Sequence, residues 1–412
     1  MPKLPRIKTY EKMGLGLMIH WGLYSQLAQG EWTEFIHNRP KDSYEDLIHS
    51  FSARKFSASK IVKAAKEMGA KYIVLTTKHH EGFCLFDTHD LTDFDVMHSP
   101  AHRDLIQEFV AACHREKIKP FFYMATYDWH QPDYEKNFDR YLVYLRKTVQ
   151  LLCQNYGSIG GFWFDGDWNK KDADWQLPKL YGMIRKYQPD AIIVNNTGLK
   201  SRGQVRDSEI DVVTYERTLP QMVNHEGQNQ KYVAGETSMT LNQHWGWAIN
   251  DLNYKSPKEI IEAIVHARRI GCNILINIGL TGDGDIPNLQ AEYLKLIGRW
   301  FNLNGQSFYH EPDHVLPGQM IKDYGLQTSH HIYFFIHDLK IVGNENVVLG
   351  GEKGSQRFFS GITKKISDLH WLDNNEKLVF QQVKDKFQFT ATGYHYGTDE
   401  IVRVAVADLE AN

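Results

Sequence analysis

The side chain most clearly placed to take part in a reaction is Asp165, in the stretch GGFWFDGDWN over residues 160–169. A short apolar run, Gly161–Phe164, leads directly into this carboxylate, and Gly166 behind it permits a sharp turn. Asp is common in turns, so the position alone fits a turn residue at the end of a strand. The rest of the chain must decide between a structural carboxylate and a reactive one.

Other short apolar runs in the chain also end on polar or ionisable side chains. The predicted strands are 16–21, 71–77, 120–124, 161–165, 191–196, 211–214, 232–236 and 273–278. Their near-continuous apolar character is typical of strands buried on both faces of a parallel sheet. The residues at or just after their carboxyl ends are His20, Lys78–Glu81, Tyr123, Asp165, Asn195–Asn196, Tyr215–Arg217, Glu236 and Asn277.

Amphipathic helical patterns separate most of these strands. The predicted helices are 59–68, 104–116, 137–156, 256–270 and one that follows Pro287 as far as Trp300. Strand–helix alternation over roughly 300 residues favours a (β/α)₈ TIM-like barrel over an open, doubly wound sheet. The helix patterns between strands five, six and seven are weak, so we expect the barrel to be irregular there. Active sites of such barrels lie at the carboxyl ends of the strands, where the polar residues are found.

The residue pattern of the sequence changes after about residue 310. Alternating runs such as 331–337, 347–350, 378–383 and 401–406 lie between turn residues, without a convincing helical pattern. We therefore predict a catalytic (β/α)₈-like barrel over residues 1–310. An antiparallel β-sandwich domain is expected over residues 311–412.

Composition limits the class of protein further. The 412 residues carry a net charge of −3 and no long basic run, which argues against nucleic acid or an anionic membrane surface as partner. No signal sequence or long apolar span is visible, so we expect a cytoplasmic protein. Four widely spaced cysteines do not form a disulfide or zinc framework. The aromatic content of 13% suits stacking on sugar rings as well as core packing.

Carboxylates on different strands of a cleft rich in Trp, Tyr and His indicate glycoside hydrolysis. In that chemistry one carboxylate attacks the anomeric carbon while a second protonates the leaving oxygen. The alternative hypothesis is a metal-dependent hydrolase. His79 and His80 are adjacent, however, and point opposite ways in an extended strand, and no H-x-H or H-E-x-x-H spacing occurs. We therefore expect neither a metal nor another cofactor.

Several motifs together resemble the α-L-fucosidases of glycoside hydrolase family 29. They are GLGLMIHWGLYS, the pair Glu31-Trp32, GAKYIVLTTKHHEGFCLFDT, GFWFDGDW, GETSMTLNQHWGW, GCNILINIGLTGDGDI and IGRWFNLNG. The resemblance runs from about residue 10 to residue 310. The resemblance implies a retaining exo-glycosidase that releases α-L-fucose from small fucosylated oligosaccharides. That family includes enzymes for simple aryl fucosides and enzymes for branched α1,3/1,4-linked fucosyl-GlcNAc, and no signature here selects between them.

The resemblance also implies roles for individual residues. The Asp of the family's W-x-D motif, its nucleophile, falls on Asp165. Fucose-binding residues of the family fall on His20, Glu31, Trp32, His79, His80, Tyr123 and Trp163. The acid/base position varies within the family. Glu216 is the best match by position, Glu236 is the second candidate and Glu226 the third.

Two other functions remain open from the sequence. One is a fucose- or glycan-binding protein that keeps the fold without catalysis. The other is a barrel glycosidase that acts on a different deoxy-sugar. The sequence does not indicate an oligomeric state.

Overall fold

The computed structural model describes residues 2–309, 314–349 and 354–410. The chain divides into two compact units, residues 1–255 with 271–295 and residues 256–270 with 296–412. The first unit contains a parallel barrel and the second contains antiparallel sheets. The predicted boundary between residues 310 and 311 falls outside the described residues, so the domain limits stay a prediction.

The first unit is built on a closed barrel of eight parallel strands. They are β1 (Leu15–His20), β2 (Tyr72–Lys78), β3 (Lys119–Ala125), β4 (Gly161–Asp165), β5 (Ile192–Asn196), β6 (Val212–Glu216), β7 (Ala234–Thr240) and β8 (Cys272–Gly279). Each strand pairs with the next along the chain, and β1 pairs with β8 to close the ring. Nearly every strand residue is buried, which explains why the strands read as apolar runs. The predicted barrel is confirmed.

The helices of the described residues are α1 (Pro5–Met13), α2 (Thr33–Ile36), α3 (Lys41–Glu45), α4 (Ala58–Met68), α5 (Leu105–Glu116), α6 (Asp133–Lys136), α7 (Phe138–Asn155), α8 (Leu177–Tyr187), α9 (Pro257–Arg269) and α10 (Asn288–Asn304). Within residues 2–309, no α-helix lies between β5 and β6 or between β6 and β7, which confirms the irregular quadrant. Helix α8, between β4 and β5, was not predicted. None of the helices in the described ranges combines the length and apolar character needed to cross a bilayer.

Helix α1 packs against the amino-terminal end of the barrel. Its Ile7 and Tyr10 belong to the same buried cluster as the inward-facing barrel residues Tyr72, Phe121 and Trp163. The Asn273 amide, near the start of β8, donates to the Tyr10 carbonyl oxygen at 2.8 Å. The barrel interior below the active site is therefore filled by aromatic side chains and by this helix.

The second unit contains a five-stranded and a three-stranded antiparallel sheet. In chain order the strands are β9 (His314–Pro317), β10 (Tyr324–Gln327), β11 (His331–His337), β12 (Ser355–Ser360), β13 (Ile366–Trp371), β14 (Phe380–Val383), β15 (Lys386–Ala391) and β16 (Val402–Leu409). The sheet orders are β13-β16-β11-β10-β9 and β12-β15-β14.

The two antiparallel sheets share one aromatic core. Phe334 of β11 stacks on Phe387 of β15, with ring centroids 5.3 Å apart. This packing confirms the predicted sandwich architecture. One predicted strand is wrong, because residues 347–349 lie in turns, while Gly350 lies outside the described residues. The apolar run Val347–Leu349 has no neighbouring strand among the described residues to complete its backbone hydrogen bonds.

Candidate active site

A cavity of about 760 Å³ opens at the carboxyl ends of the barrel strands. Most of the residues predicted for the site line it: His20, Glu31, Trp32, His79, Tyr123, Trp163, Asp165 and Glu216. His80 lies immediately behind the cavity, against Asp165. Glu236 and Glu226 are not among the lining residues.

Asp165 ends β4 and is surrounded by donors. The Tyr123 hydroxyl donates to its Oδ2 at 2.7 Å, and the Trp168 indole N–H donates to its Oδ1 at 2.8 Å. The Asn196 amide donates to Oδ1 at 3.1 Å, and Nε2 of His80 lies 3.5 Å from Oδ2. Gly166 follows with φ of +112°, and a side chain there would collide with the backbone of Tyr127. The strand therefore ends in a turn that only glycine accommodates, with the carboxylate held at its tip.

These donors decide the charge of Asp165. Burial raises the pKa of the Asp165 carboxyl, but the contacts from His80, Trp168 and Tyr123 more than offset this, and the net pKa is lowered. Burial, together with the neighbouring Asp165, raises the pKa of Tyr123 well above its usual value, so this phenol remains a donor. The lowered pKa favours the ionised form of Asp165.

Glu216 ends β6 and faces the same cavity. The Asn196 amide nitrogen donates to Oε2 of Glu216 at 2.9 Å as well as to Asp165 at 3.1 Å. The two bound carboxylate oxygens therefore lie no farther apart than the sum of these two distances. That limit is shorter than the roughly 6.5–9.5 Å between the carboxyl groups of inverting glycosidases, and it allows the roughly 5–5.5 Å of retaining ones.

The environment separates the pKa values of this pair. Burial raises the pKa of Glu216, and the negative charge of Asp165 raises it further, although the Asn196 hydrogen bond and Arg217 partly oppose the rise. The pKa of Asp165 moves in the opposite direction. Two close carboxyl groups with oppositely shifted pKa values can supply a nucleophile and a proton donor at the same pH.

Two buried histidines line the cavity as neutral groups. Burial lowers the pKa of His20 to about 4, and Nδ1 of this ring lies 2.7 Å from the Asn277 amide oxygen. Burial and the neighbouring His80 and His20 lower the pKa of His79 well below its usual value. Because the Asn277 oxygen can only accept, the N–H of neutral His20 lies on Nδ1, and its Nε2 is left as an acceptor for a sugar hydroxyl.

His79 and His80 do not point to opposite sides of the sheet, contrary to the expectation from their adjacency. β2 ends at Lys78, so both histidines lie in the turn beyond the strand, and their rings are 4.5 Å apart. The alternation of an extended strand therefore does not apply to them. Within the described ranges, no group of three His, Cys, Asp or Glu side chains is arranged to hold a metal ion.

Glu31 and Trp32 form one wall of the cavity. The backbone amides of Trp245 and Gly246 donate to Oε2 of Glu31 at 3.0 and 2.8 Å, which fixes the orientation of this carboxylate. The Trp32 ring lies beside His80 at 5.0 Å and beside Trp168 at 6.2 Å. This wall joins a fixed acceptor to an apolar surface, as sugar recognition requires.

Glu236 is placed differently from the sequence-based expectation. It is the third residue of β7, which continues to Thr240, so it lies inside the barrel and not at the strand's end. Its Oε1 accepts the Trp163 indole N–H at 2.7 Å, and its Oε2 accepts the hydroxyls of Tyr72, at 2.7 Å, and Tyr10. Trp163 in turn stacks on Tyr123, with centroids 5.4 Å apart. Glu236 therefore contacts the site through Trp163. Glu226 is exposed in the β6–β7 connection.

Replacement of Glu236 by Gln tests this reading. The amide turns an N–H₂ group toward the hydroxyls of Tyr72 and Tyr10, which now donate to the carboxylate. These hydroxyls must then accept instead, and their own hydrogens lose the carboxylate acceptor, at a cost of about 1–3 kcal/mol in the free energy of unfolding. We expect urea denaturation to show this loss and kcat/KM to fall about 5- to 10-fold as Trp163 shifts. Glu226→Gln is the matched exposed control and should change neither quantity. Azide rescue of Glu236→Ala would instead make Glu236 the acid/base.

Several residues of the site were not assigned from the sequence. Asn196 bridges the two carboxylates, Trp168 donates to Asp165, and the Trp245 ring lies 5.3 Å from His20. Arg217 lies over the Trp245 ring at 5.0 Å from its centroid. Three features of the sequence could have indicated these residues: the position of Asn196 at the end of a strand, and the tryptophans of the motifs DGDW and HWGW.

Comparisons with known proteins agree on one family. The sequence profile of alpha-L-fucosidase matches residues 3–306. Plasma alpha-L-fucosidase of Rattus norvegicus is 27% identical over 361 residues, covering 75% of this chain and 72% of that protein. Tissue alpha-L-fucosidase of Homo sapiens is 27% identical over 333 residues, covering 73% of this chain and 68% of that protein.

Solved structures give the same result. Alpha-L-fucosidase isoenzyme 1 from Paenibacillus thiaminolyticus superposes with a TM-score of 0.82 at 30% identity and covers 99% of each chain. A family 29 alpha-L-fucosidase from Bacteroides thetaiotaomicron superposes with a TM-score of 0.79 at 25% identity, over 100% of this chain and 96% of that one. With its profile match, its barrel and its paired carboxylates, the chain belongs to the alpha-L-fucosidase family, glycoside hydrolase family 29, a family of retaining glycosidases.

Proposed function

We propose that Asp165 is the nucleophile and Glu216 the acid/base of the retaining α-L-fucosidase reaction in this chain. The observation that supports this proposal most directly is the Asn196 amide, which donates to both carboxylates. Its two hydrogen bonds limit how far apart the bound oxygens can lie, and this limit is compatible with the short separation that double displacement requires. Their oppositely shifted pKa values leave one ionised and favour a proton on the other.

In the first step, an Asp165 oxygen attacks the anomeric carbon of the α-L-fucoside and the bond from that carbon to the leaving oxygen breaks. Glu216 gives its proton to the leaving oxygen, so the leaving group departs as a neutral alcohol. The product is a β-linked fucosyl ester on Asp165. In the second step, Glu216 takes a proton from water, and the resulting oxygen attacks the same carbon from the opposite face. Asp165 leaves as a carboxylate, and fucose is released with its α configuration.

The walls of the cavity bind the sugar in this proposal. The His79 ring lines the cavity, so it can offer a polar contact to a fucose hydroxyl. His20 and Glu31 supply further polar contacts, while Trp32 and Trp163 supply apolar surface. His80 and Tyr123 hold Asp165 in place. The substrate is then a short fucosylated oligosaccharide that presents a terminal fucose.

The cytoplasmic location expected from the sequence belongs to the same proposal. All four cysteines, Cys84, Cys113, Cys153 and Cys272, are buried and unpaired, which suits a reducing compartment. Finding the native protein in the culture medium or in a cell-envelope fraction would contradict this location.

The pH dependence of kcat/KM on a neutral aryl α-L-fucoside tests the two roles. Activity needs ionised Asp165 and protonated Glu216, so it should fall at low pH as Asp165 gains a proton and at high pH as Glu216 loses one. The acid limb should lie below the ordinary Asp value of about 3.9 and the alkaline limb above the ordinary Glu value of about 4.3. Glu216→Gln should lose the alkaline limb.

Three results would overturn the proposal. An alkaline limb that persists unchanged in Glu216→Gln would assign the proton donor elsewhere. A wild-type protein that binds fucose but releases no aryl alcohol at any pH would instead be a fucose-binding protein. Release from a rhamnoside or galactoside in preference to the fucoside would indicate another sugar.

A further inference from the structure

The cavity is lined by basic residues that have no role in the proposed reaction. Its acidic lining residues are Glu31, Asp165 and Glu216, which lie at the barrel mouth itself. Its basic lining residues are Lys171, Lys200, Arg206 and Arg217. These four basic residues differ in whether a carboxylate lies within salt-bridge distance of them.

Both arginines have partners within the protein. Nη1 of Arg206 lies 3.1 Å from the buried Asp167, and Nε of Arg217 lies 3.9 Å from Glu216. Lys171 and Lys200 are exposed, and within the described part of the chain neither ammonium group has a hydrogen bond or a carboxylate within salt-bridge distance. Asp172 and Asp174 follow Lys171 in the chain but do not line the cavity. We call Lys171 and Lys200 the basic rim.

The basic rim lies on the side of Glu216. The loop after β5 carries Lys200, and it is tied to β6 because Nε of Arg202 donates to the Glu216 carbonyl oxygen at 2.6 Å. Gly203 N–H of the same loop donates to the Thr214 carbonyl oxygen at 2.9 Å. Glu216 must reach the leaving oxygen, so groups that lie outward from Glu216 face the leaving group and not the fucose.

Lys171 belongs to the same side. It follows the short 3₁₀ helix Asp167–Lys170, whose Trp168 packs on Gly198 in the loop that carries Lys200. A Cβ atom on Gly198 would lie 3.0 Å from the Trp168 ring, so the turn and the loop are in close contact. The two lysines, which have no carboxylate partner within the described residues, therefore line the cavity from two segments that contact each other.

We propose that the basic rim selects fucosylated oligosaccharides whose leaving group carries an anionic substituent, either a sulfate ester or a carboxylate. This inference rests on the proposed function, since it uses the orientation of Glu216 to define the leaving-group side. Lys is a compact cation with three rotatable donors, which suits an anion on a mobile sugar. Such rim charges act chiefly on association and are screened by salt.

The test compares three substrates with the same fucosyl linkage: a neutral oligosaccharide, its sulfate ester and its carboxylated form. We expect wild-type kcat/KM to be about 3- to 10-fold higher for at least one anionic form than for the neutral one, as two exposed ion pairs would give. The preference should shrink toward one at 0.5–1 M salt, roughly where the Debye length falls below about 5 Å. Comparison of the sulfated with the carboxylated substrate shows which anionic group is recognised.

The double variant Lys171→Ala/Lys200→Ala should lose the preference. The matched control Lys8→Ala/Lys147→Ala removes two exposed lysines that do not line the cavity and should keep it. Equal kcat/KM for all three substrates in the wild type, or a preference that survives in the rim variant, would overturn the proposal. Hydrolysis of a neutral aryl α-L-fucoside in parallel separates this failure from failure of the proposed function.

Discussion

Asp165→Gly is expected to lose on the order of 10⁴- to 10⁶-fold in kcat on an aryl α-L-fucoside, the scale seen when the nucleophile of a covalent mechanism is removed. Among the described residues, two other carboxylates line the cavity, Glu31 and Glu216. The backbone amides of Trp245 and Gly246 hold Glu31, and in the proposed reaction Glu216 serves proton transfer, so neither is expected to replace Asp165. Glycine also leaves room for a small anion where the carboxylate was. Added azide should therefore restore turnover by attacking the anomeric carbon directly.

The configuration of the rescued product identifies the role. Azide that replaces Asp165 attacks from the face opposite the leaving group, so the product should be β-fucosyl azide, which proton NMR distinguishes from the α form. Asp172→Gly, an exposed carboxylate in the turn that follows, is the matched control and should keep wild-type kcat. Wild-type kcat in Asp165→Gly, or an α-configured azide product, would show that Asp165 is not the nucleophile.

Much of this geometry could be predicted from local pattern. The bounds of β4 match those predicted from its apolar run, because a strand buried on both faces in a parallel barrel has a distinct composition. Gly166 adopts the positive φ that its position after Asp165 indicated. The positions of Asp165 and Glu216 at the carboxyl ends of β4 and β6 followed from the barrel once the strands were placed.

What could not be predicted depends on contacts between distant segments. The predicted end of β7 at Glu236 was wrong because a charged residue usually marks the end of a buried strand. Its donors come from residues 10, 72 and 163, and no local pattern reveals that they converge on one carboxylate. The bridging role of Asn196 likewise depends on its register opposite Asp165 in the β4–β5 pair.

The second large effect is expected in Glu216→Ala, and it should depend on the leaving group. A fucosyl-oligosaccharide has a poor leaving group that needs a proton, so kcat/KM should fall about 10²- to 10⁴-fold. An aryl fucoside with a strongly acidic phenol needs little protonation, so its first step should change far less. The fucosyl ester on Asp165 should then accumulate, because water attack has lost its base, and a burst of phenol should precede a slow steady state.

Azide separates this role from that of Asp165. An anionic nucleophile needs no general base, so azide should speed the slow second step in Glu216→Ala and give α-fucosyl azide, the configuration opposite to that from Asp165→Gly. Glu226→Ala, an exposed carboxylate of the β6–β7 connection, should show neither a burst nor an azide product. If Glu236→Ala gives the α azide and Glu216→Ala does not, the proton donor lies on β7. The hydrogen bonds from Asn196 to Asp165 and Glu216 would then be structural. Glu236 would also have to leave Trp163, Tyr72 and Tyr10 to reach the substrate.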